Sequence, residues 1–232
     1  MRRSAEGSRV LVLGLPILLV IAVWFSSFAG REGAGGRGGG GGAGSDRSKR
    51  SGKELQEQVA LGRLMVVSHA CGECHGGGDN PAAPNWLDGL RDTILQQFRV
   101  GPFVTRAKNL TPDVATGTGS FTERQLFNAL RYGLRPEETP DVDITSTVPG
   151  QGNFPLHPHY LAVPMPWPSW RNMSDAELRA IAAYLKNGLK PVSHKVQDSD
   201  GPPDFWASEY TVAKIGPYPV APFPTANEKG GR

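Results

Sequence analysis

A chain of 232 residues holds one or two domains, and its 30 glycines and 20 prolines are spread unevenly, leaving both ends with a non-globular composition. The formal net charge of +3 conceals a split: residues 1–52 carry eight Lys and Arg against three Asp and Glu, and the rest carries 17 against 19. A mildly acidic body with no basic patch argues against a nucleic-acid partner, which needs a concentrated positive face.

The chain opens with the basic stretch MRRSAEGSR and continues at 10–29 with VLVLGLPILLVIAVWFSSFA. That run is about twenty uncharged, mostly apolar residues, enough for one helix to cross a bilayer. It fits a cleaved signal peptide, with Ser27-Phe28-Ala29 as a small-x-small site, or an uncleaved signal anchor. The anchor is the better expectation. The run is long for a signal core, and the glycine-rich REGAGGRGGGGGAGSDRSKR behind it reads as a flexible tether, which needs an attachment point. Arginines flank the run on both sides, so charge counting leaves its orientation open. The expected organisation is therefore an anchor or signal segment at 1–29, a linker at 30–52, a globular domain at 53–191 and a proline-rich tail at 192–232.

The first element of the body is a helix from a Ser51/Glu54 capping box to about Ser68, with Leu55, Val59, Gly62 and Val66 along one face. Gly62 in its middle costs about 1 kcal/mol against alanine, which a close helix crossing would explain. Directly after it stands SHACGECHGGG, containing the only two cysteines of the chain, Cys71 and Cys74, with His75 behind the second. A redox dithiol has no use for the histidine. A structural zinc site wants a second cysteine pair or spaced histidines, and His157 and His159 are only two apart. Cys-x-x-Cys-His is the attachment signature for c-type haem, with the thiols bonded to the porphyrin vinyl groups and His75 as an iron ligand. Zinc and dithiol chemistry remain as rivals to that reading.

Two more helices follow. FTERQLFNALRYG has a Thr122/Gln125 capping box, a Phe121/Leu126 staple and Gly133 as its stop. NMSDAELRAIAAYLKNG has a Ser174/Glu177 box, a Met173/Leu178 staple and a buried stripe of Leu178, Ile181, Ala182 and Leu185. No stretch of five or more residues alternates apolar and polar positions, so the domain reads as all-α, with a core that a cofactor would complete. For a second axial ligand, Met65 lies on the first helix, Met173 serves as a staple, His69 is too near the motif and His194 lies in the tail. His157, His159 and Met165 remain, with an open site as a further alternative. Met165 is favoured because Pro164 and Pro166 fix an extended, stiff segment ahead of an anchoring helix.

Three stretches together resemble monohaem class I cytochromes c, closest to the cytochrome c subunits of bacterial dehydrogenases. They are GRLMVVSHACGECH, NLTPDVATGTGSFTERQLFNALRYG and MPWPSWRNMSDAELRAIAAYLK, spanning Gly62 to about Pro191. The resemblance implies a cytochrome c fold of three to four helices around one covalent haem c at Cys71 and Cys74. It implies iron ligation by His75 and Met165, and a crossing of the first and last helices at Gly62 and Tyr184. Maturation outside the cytoplasm is also implied, which puts the domain on the outer, periplasmic face of the membrane. This sequence has Trp167 where the family usually has tyrosine, and its stretch from Arg135 to Tyr160 is longer than usual. The tail beyond Pro191 lies outside the resemblance; it would wrap the domain, dock a partner or remain disordered.

An iron closed by His and Met passes single electrons and offers no vacant site. The expected function is an electron carrier between a dehydrogenase or quinol-oxidising complex and a terminal oxidase or other cytochrome, rather than a catalyst by itself. The alternatives are the haem subunit of an oxidoreductase acting on a small substrate and a haem-based gas sensor.

Overall fold

The computed structural model describes residues 51–91, 97–200, 206–216 and 223–230, all within the second of two units, Arg47–Arg232. The expected anchor or signal segment and nearly all of the linker lie outside the described residues. Among those described, no helix is long and apolar enough to cross a membrane. The elements in chain order are α1 (Gly52–Ser68), α2 (Cys71–His75), a hairpin of β1 (Gln97–Val100) and β2 (Phe103–Arg106), α3 (Glu123–Tyr132), α4 (Trp167–Trp170), α5 (Asp175–Asn187) and α6 (Val212–Ile215).

All three long helices start where their capping boxes place them. Ser51 Oγ accepts from the Glu54 N–H at 3.2 Å while the Glu54 carboxylate accepts from the Ser51 N–H at 2.8 Å. Thr122 with Gln125, and Ser174 with Glu177, repeat this reciprocal pair. Each box satisfies donors that a helix N-terminus otherwise leaves unpaired. The burial of α5 is wider than a single stripe, because α1 packs on one side of it and α3 on another. Ala180, Ala183 and Tyr184 are buried along with Leu178, Ile181, Ala182 and Leu185.

The all-α expectation needs correction. QFRVGPFVTR forms an antiparallel hairpin, with Gln97 opposite Arg106 and Val100 opposite Phe103 across a turn at Gly101 and Pro102. Its strands are four residues each, too short to show the longer alternation sought in the sequence. Residues 192–200 and 206–216 of the tail pack on the domain. Asp200 forms an isolated bridge to Val104 on β2, exchanging two backbone bonds of 2.8 Å, and Trp206 is buried edge-on against Phe103 at 4.9 Å.

The stretch from Leu134 to Tyr160 is closed at its base. Leu134 and Tyr160 form a bridge, the Arg135 N–H donates to the His159 carbonyl at 3.0 Å, and the Leu161 N–H donates to the Gly133 carbonyl at 2.6 Å. The excursion then folds back over α3. Gln125 donates to the Pro136 and Thr139 carbonyls, Asn128 to that of Val142, and the Tyr132 hydroxyl to that of Ile144.

Helices α1 and α5 cross at Gly62. A Cβ added there would lie 1.9 Å from the Ala180 carbonyl oxygen and 2.8 Å from Tyr184 Cβ, so only hydrogen fits. The helix-propensity cost of this glycine is offset by the close contact it permits. Gly62→Ala should lower unfolding free energy by roughly 3 kcal/mol, the upper end for overpacking, because the obstacle is backbone. Gly52→Ala on the same helix, where nothing lies within 4 Å, should leave stability unchanged or slightly raised. Denaturant titration of the two variants checks the difference.

Candidate functional site

Helix α1 ends at Ser68, and Ala70 turns the chain in the left-handed region (φ 54°) so that α2 starts at once. Within this single turn Cys71 and Cys74 stand three residues apart, hence on one side, and His75 ends the helix. The chain then folds back over α2. The Gly78 N–H donates to the Gly72 carbonyl at 3.1 Å, that of Leu87 to the Gly76 carbonyl at 3.0 Å, and that of Gly89 to the His75 carbonyl at 2.8 Å. Trp86, buried in this loop, donates its indole N–H to the Tyr184 hydroxyl at 2.9 Å. The motif is thereby tied to the α1–α5 crossing.

The two cysteines form no disulfide with each other, and Cys71 is buried in the core while Cys74 is half-buried. Burial pushes the Cys71 thiol up to about 12, and Cys74 is raised for the same reason with help from the Glu73 charge. The imidazole of His75 is held by a 2.7 Å bond from Nδ1 to the Lys108 carbonyl. A carbonyl only accepts, so Nδ1 carries the proton and Nε2 presents a lone pair. Burial lowers the His75 pKa, and the bond to Lys108 only partly opposes this, which favours the neutral ring. The carbonyl is itself fixed by its neighbours. Asn109 Oδ1 accepts from the Thr111 N–H at 2.9 Å and the Thr111 hydroxyl at 2.8 Å, and Asn109 Nδ2 donates to the Val192 carbonyl at 2.8 Å.

Met165 is half-buried and packs against the core cluster that includes Cys71. Its segment is a turn rather than the extended loop its flanking prolines suggested. The Met165 N–H donates to the Ala162 carbonyl and the Trp167 N–H to the Met165 carbonyl, each at 2.9 Å, and α4 begins at once. Pro168 sits in the first turn of α4, where a missing N–H costs nothing. Met65 and Met173 lie against the same core, so packing alone does not separate the three methionines. His157 and His159 are exposed, and His159 pairs with Glu138. They border a cavity of about 710 Å³ to which Cys71, Cys74, His75 and Met165 do not contribute. His69 is spent locally, its Nδ1 2.9 Å from the Met65 carbonyl oxygen, and His194 Nδ1 lies 2.7 Å from that of Asp88.

Sequence reasoning missed the Lys108 carbonyl, since a backbone acceptor leaves no residue signal, although the Asn-Leu-Thr-Pro stretch beside it was singled out. It also missed the aromatic group behind Met165. Trp167 stacks on Tyr160 at 5.7 Å and 2°, and Tyr210 meets both rings edge-on at 4.8 and 5.2 Å.

No family model matches the chain. Its relatives are cytochrome c subunits of bacterial dehydrogenases. It is 30% identical over 94 residues, 40% of the chain, to the gluconate 2-dehydrogenase cytochrome c subunit of Pantoea cypripedii. It is 28% identical over 92 residues, again 40%, to the cytochrome c subunit of an alcohol dehydrogenase (quinone) from Gluconacetobacter polyoxogenes. With the fructose dehydrogenase cytochrome subunit of Gluconobacter japonicus it shares 23% identity over 141 residues, 58% of the chain. The matches span 17%, 15% and 22% of those relatives' lengths, so the chain corresponds to a small part of each.

The support behind Met165 turns on Gly133, which ends α3 with φ 70° and whose added Cβ would lie 2.1 Å from Trp167 Cε2. Gly133→Ala should cost roughly 2–4 kcal/mol, combining left-handed strain with overpacking. Denaturant titration should show the loss, and near-ultraviolet circular dichroism should report the displaced indole.

Proposed function

We propose that the chain is an electron-transfer cytochrome, holding one covalent haem c at Cys71 and Cys74 with His75 and Met165 as axial ligands. The observation that carries this reading is the His75 hydrogen bond. Lys108 fixes the tautomer and the ring plane and leaves Nε2 as the ligating atom, the arrangement that orients a metal-bound imidazole. Two thiols on one turn, an imidazole at its end and a thioether packed against the same core form a donor set that fits haem c. The rivals fare worse. A redox dithiol needs a lowered thiol pKa, and burial drives that of Cys71 the other way. Among the described residues no three His, Cys, Asp or Glu side chains gather as a structural zinc site requires.

Bound haem supplies a one-electron iron couple. The chain's own part is to hold the ligands so that they move little when the charge changes. Lys108 pins the imidazole, and the Ala162 and Trp167 backbone bonds pin the methionine turn. Trp86, Leu87, Leu126 and Leu130 are buried in the same core cluster as Cys71. The chemistry ends with electron transfer: the donor is a dehydrogenase, as in the relatives, and the acceptor is a respiratory protein. Residues 1–29 would anchor the 53–191 domain to the outer face of the cytoplasmic membrane through the 30–52 linker.

Protein purified from a host that matures c-type cytochromes should retain its haem through acid-acetone extraction, and Cys71→Ala with Cys74→Ala should lose it. Met165→Ala should keep the haem, lose the near-infrared methionine–iron charge-transfer band, lower the potential and admit carbon monoxide to reduced iron. Met173→Leu should do none of these. A wild type that already binds carbon monoxide readily would overturn the carrier reading. Fractionation tests the anchor: the full chain should partition with membranes, and a chain beginning at Lys53 should be soluble with the same haem spectrum.

A further inference from the structure

We infer that the C-terminal tail is a strap that positions both axial ligands, with Tyr210 as the residue that holds the methionine side. The inference rests on the assignment of His75 and Met165 as ligands. Residues 192–200 run along the segment that holds His75. Asn109 donates to the Val192 carbonyl, and Lys108 Nζ lies 3.3 Å from the Gln197 carbonyl and 2.9 Å from the Asp198 carboxylate. Buried Arg106 donates to the Asp198 carbonyl at 2.5 Å and pairs with Asp200 at 2.9 Å. The strap thus fixes the backbone on both sides of the carbonyl that accepts from His75.

Residues 206–216 bear on the other ligand. Tyr210 closes edge-on over Trp167 at 4.8 Å and 68°, and the backbone N–H of Trp167 donates to the carbonyl of Met165. Arg171, one residue beyond α4, donates to the Ile215 carbonyl. Trp167 is only 3% exposed, yet its ring also borders the cavity of about 710 Å³. Tyr160 and Tyr210 are therefore the ring contacts that keep it from turning into that space. Losing Tyr210 frees Trp167, and with it the turn that presents Met165. The tail lies outside the three stretches that carry the resemblance to cytochromes c.

The test uses full-length holoprotein in four forms: wild type, Met165→Ala, Tyr210→Ala and Tyr210→Phe. Tyr210→Ala should bind carbon monoxide in the reduced state roughly tenfold faster than wild type, the size expected from two lost aromatic pairs. It should also lose the methionine charge-transfer band at a lower pH. Tyr210→Phe keeps the ring and should match wild type in both. Should Tyr210→Ala fail to accumulate, Tyr210→Leu, which keeps apolar bulk without the ring edge, is read in the same way. A Tyr210→Ala protein that melts earlier but keeps wild-type carbon monoxide kinetics and band would reduce the tail to a stabilising wrap and overturn the inference. Absence of the band from wild type itself would instead overturn the Met165 assignment, and the strap with it.

Discussion

The bond from the His75 imidazole to the Lys108 carbonyl joins positions 33 residues apart, and much of the domain serves to keep its two ends in place. On one side, α2 is a single turn that would not persist alone. It is held by the loop that folds back over it and by Trp86, which reaches the α1–α5 crossing through Tyr184. On the other side, Lys108 belongs to an irregular segment whose shape comes from the side chains of Asn109 and Thr111 rather than from a helix or strand. The half-buried imidazole has one nitrogen committed to a backbone carbonyl, so its position depends on how well that carbonyl is held.

The contacts that secure this frame differ in weight. The Lys108–Asp198 and Lys53–Glu57 ion pairs are largely solvent-exposed, and such pairs contribute about 0–1 kcal/mol at the median. Arg106 is nearly buried, and its bonds to the tail carry more, since burial strips the guanidinium of competing water. Trp206, Phe103, Trp167 and Tyr160 bring large apolar areas and fixed ring geometry. The aromatic contacts, more than the visible charges, decide how firmly the tail is seated.

Much of this was legible in the sequence wherever a local rule governs. The capping boxes at Ser51, Thr122 and Ser174 start the helices as written, Gly133 ends α3, and Gly62 marks the crossing because a mid-helix glycine needs a steric reason. The hairpin escaped because two four-residue strands carry too little periodicity. The turn at Met165 escaped because prolines limit the backbone without choosing between extended and turned forms. The tail gave no periodic signal, since it is held by contacts to residues 81–106 positions away, such as Val192 to Thr111 and His194 to Asp88. The site divides in the same way: Cys71, Cys74 and His75 are adjacent in sequence and could be read together, whereas the partner of His75 is backbone and silent.

The closed base of the excursion between Leu134 and Tyr160 gives the domain modularity. Because the bridge and the bonds from Arg135 to His159 and from Leu161 to Gly133 fasten both ends to the end of α3, the intervening residues do not set where the turn at Met165 begins. Only the exposed tip at residues 148–153 can change in length at little thermodynamic cost, because Ile144 and Phe154 on either side are held in the core. That tip can therefore be redrawn while the core residues that flank it stay in place.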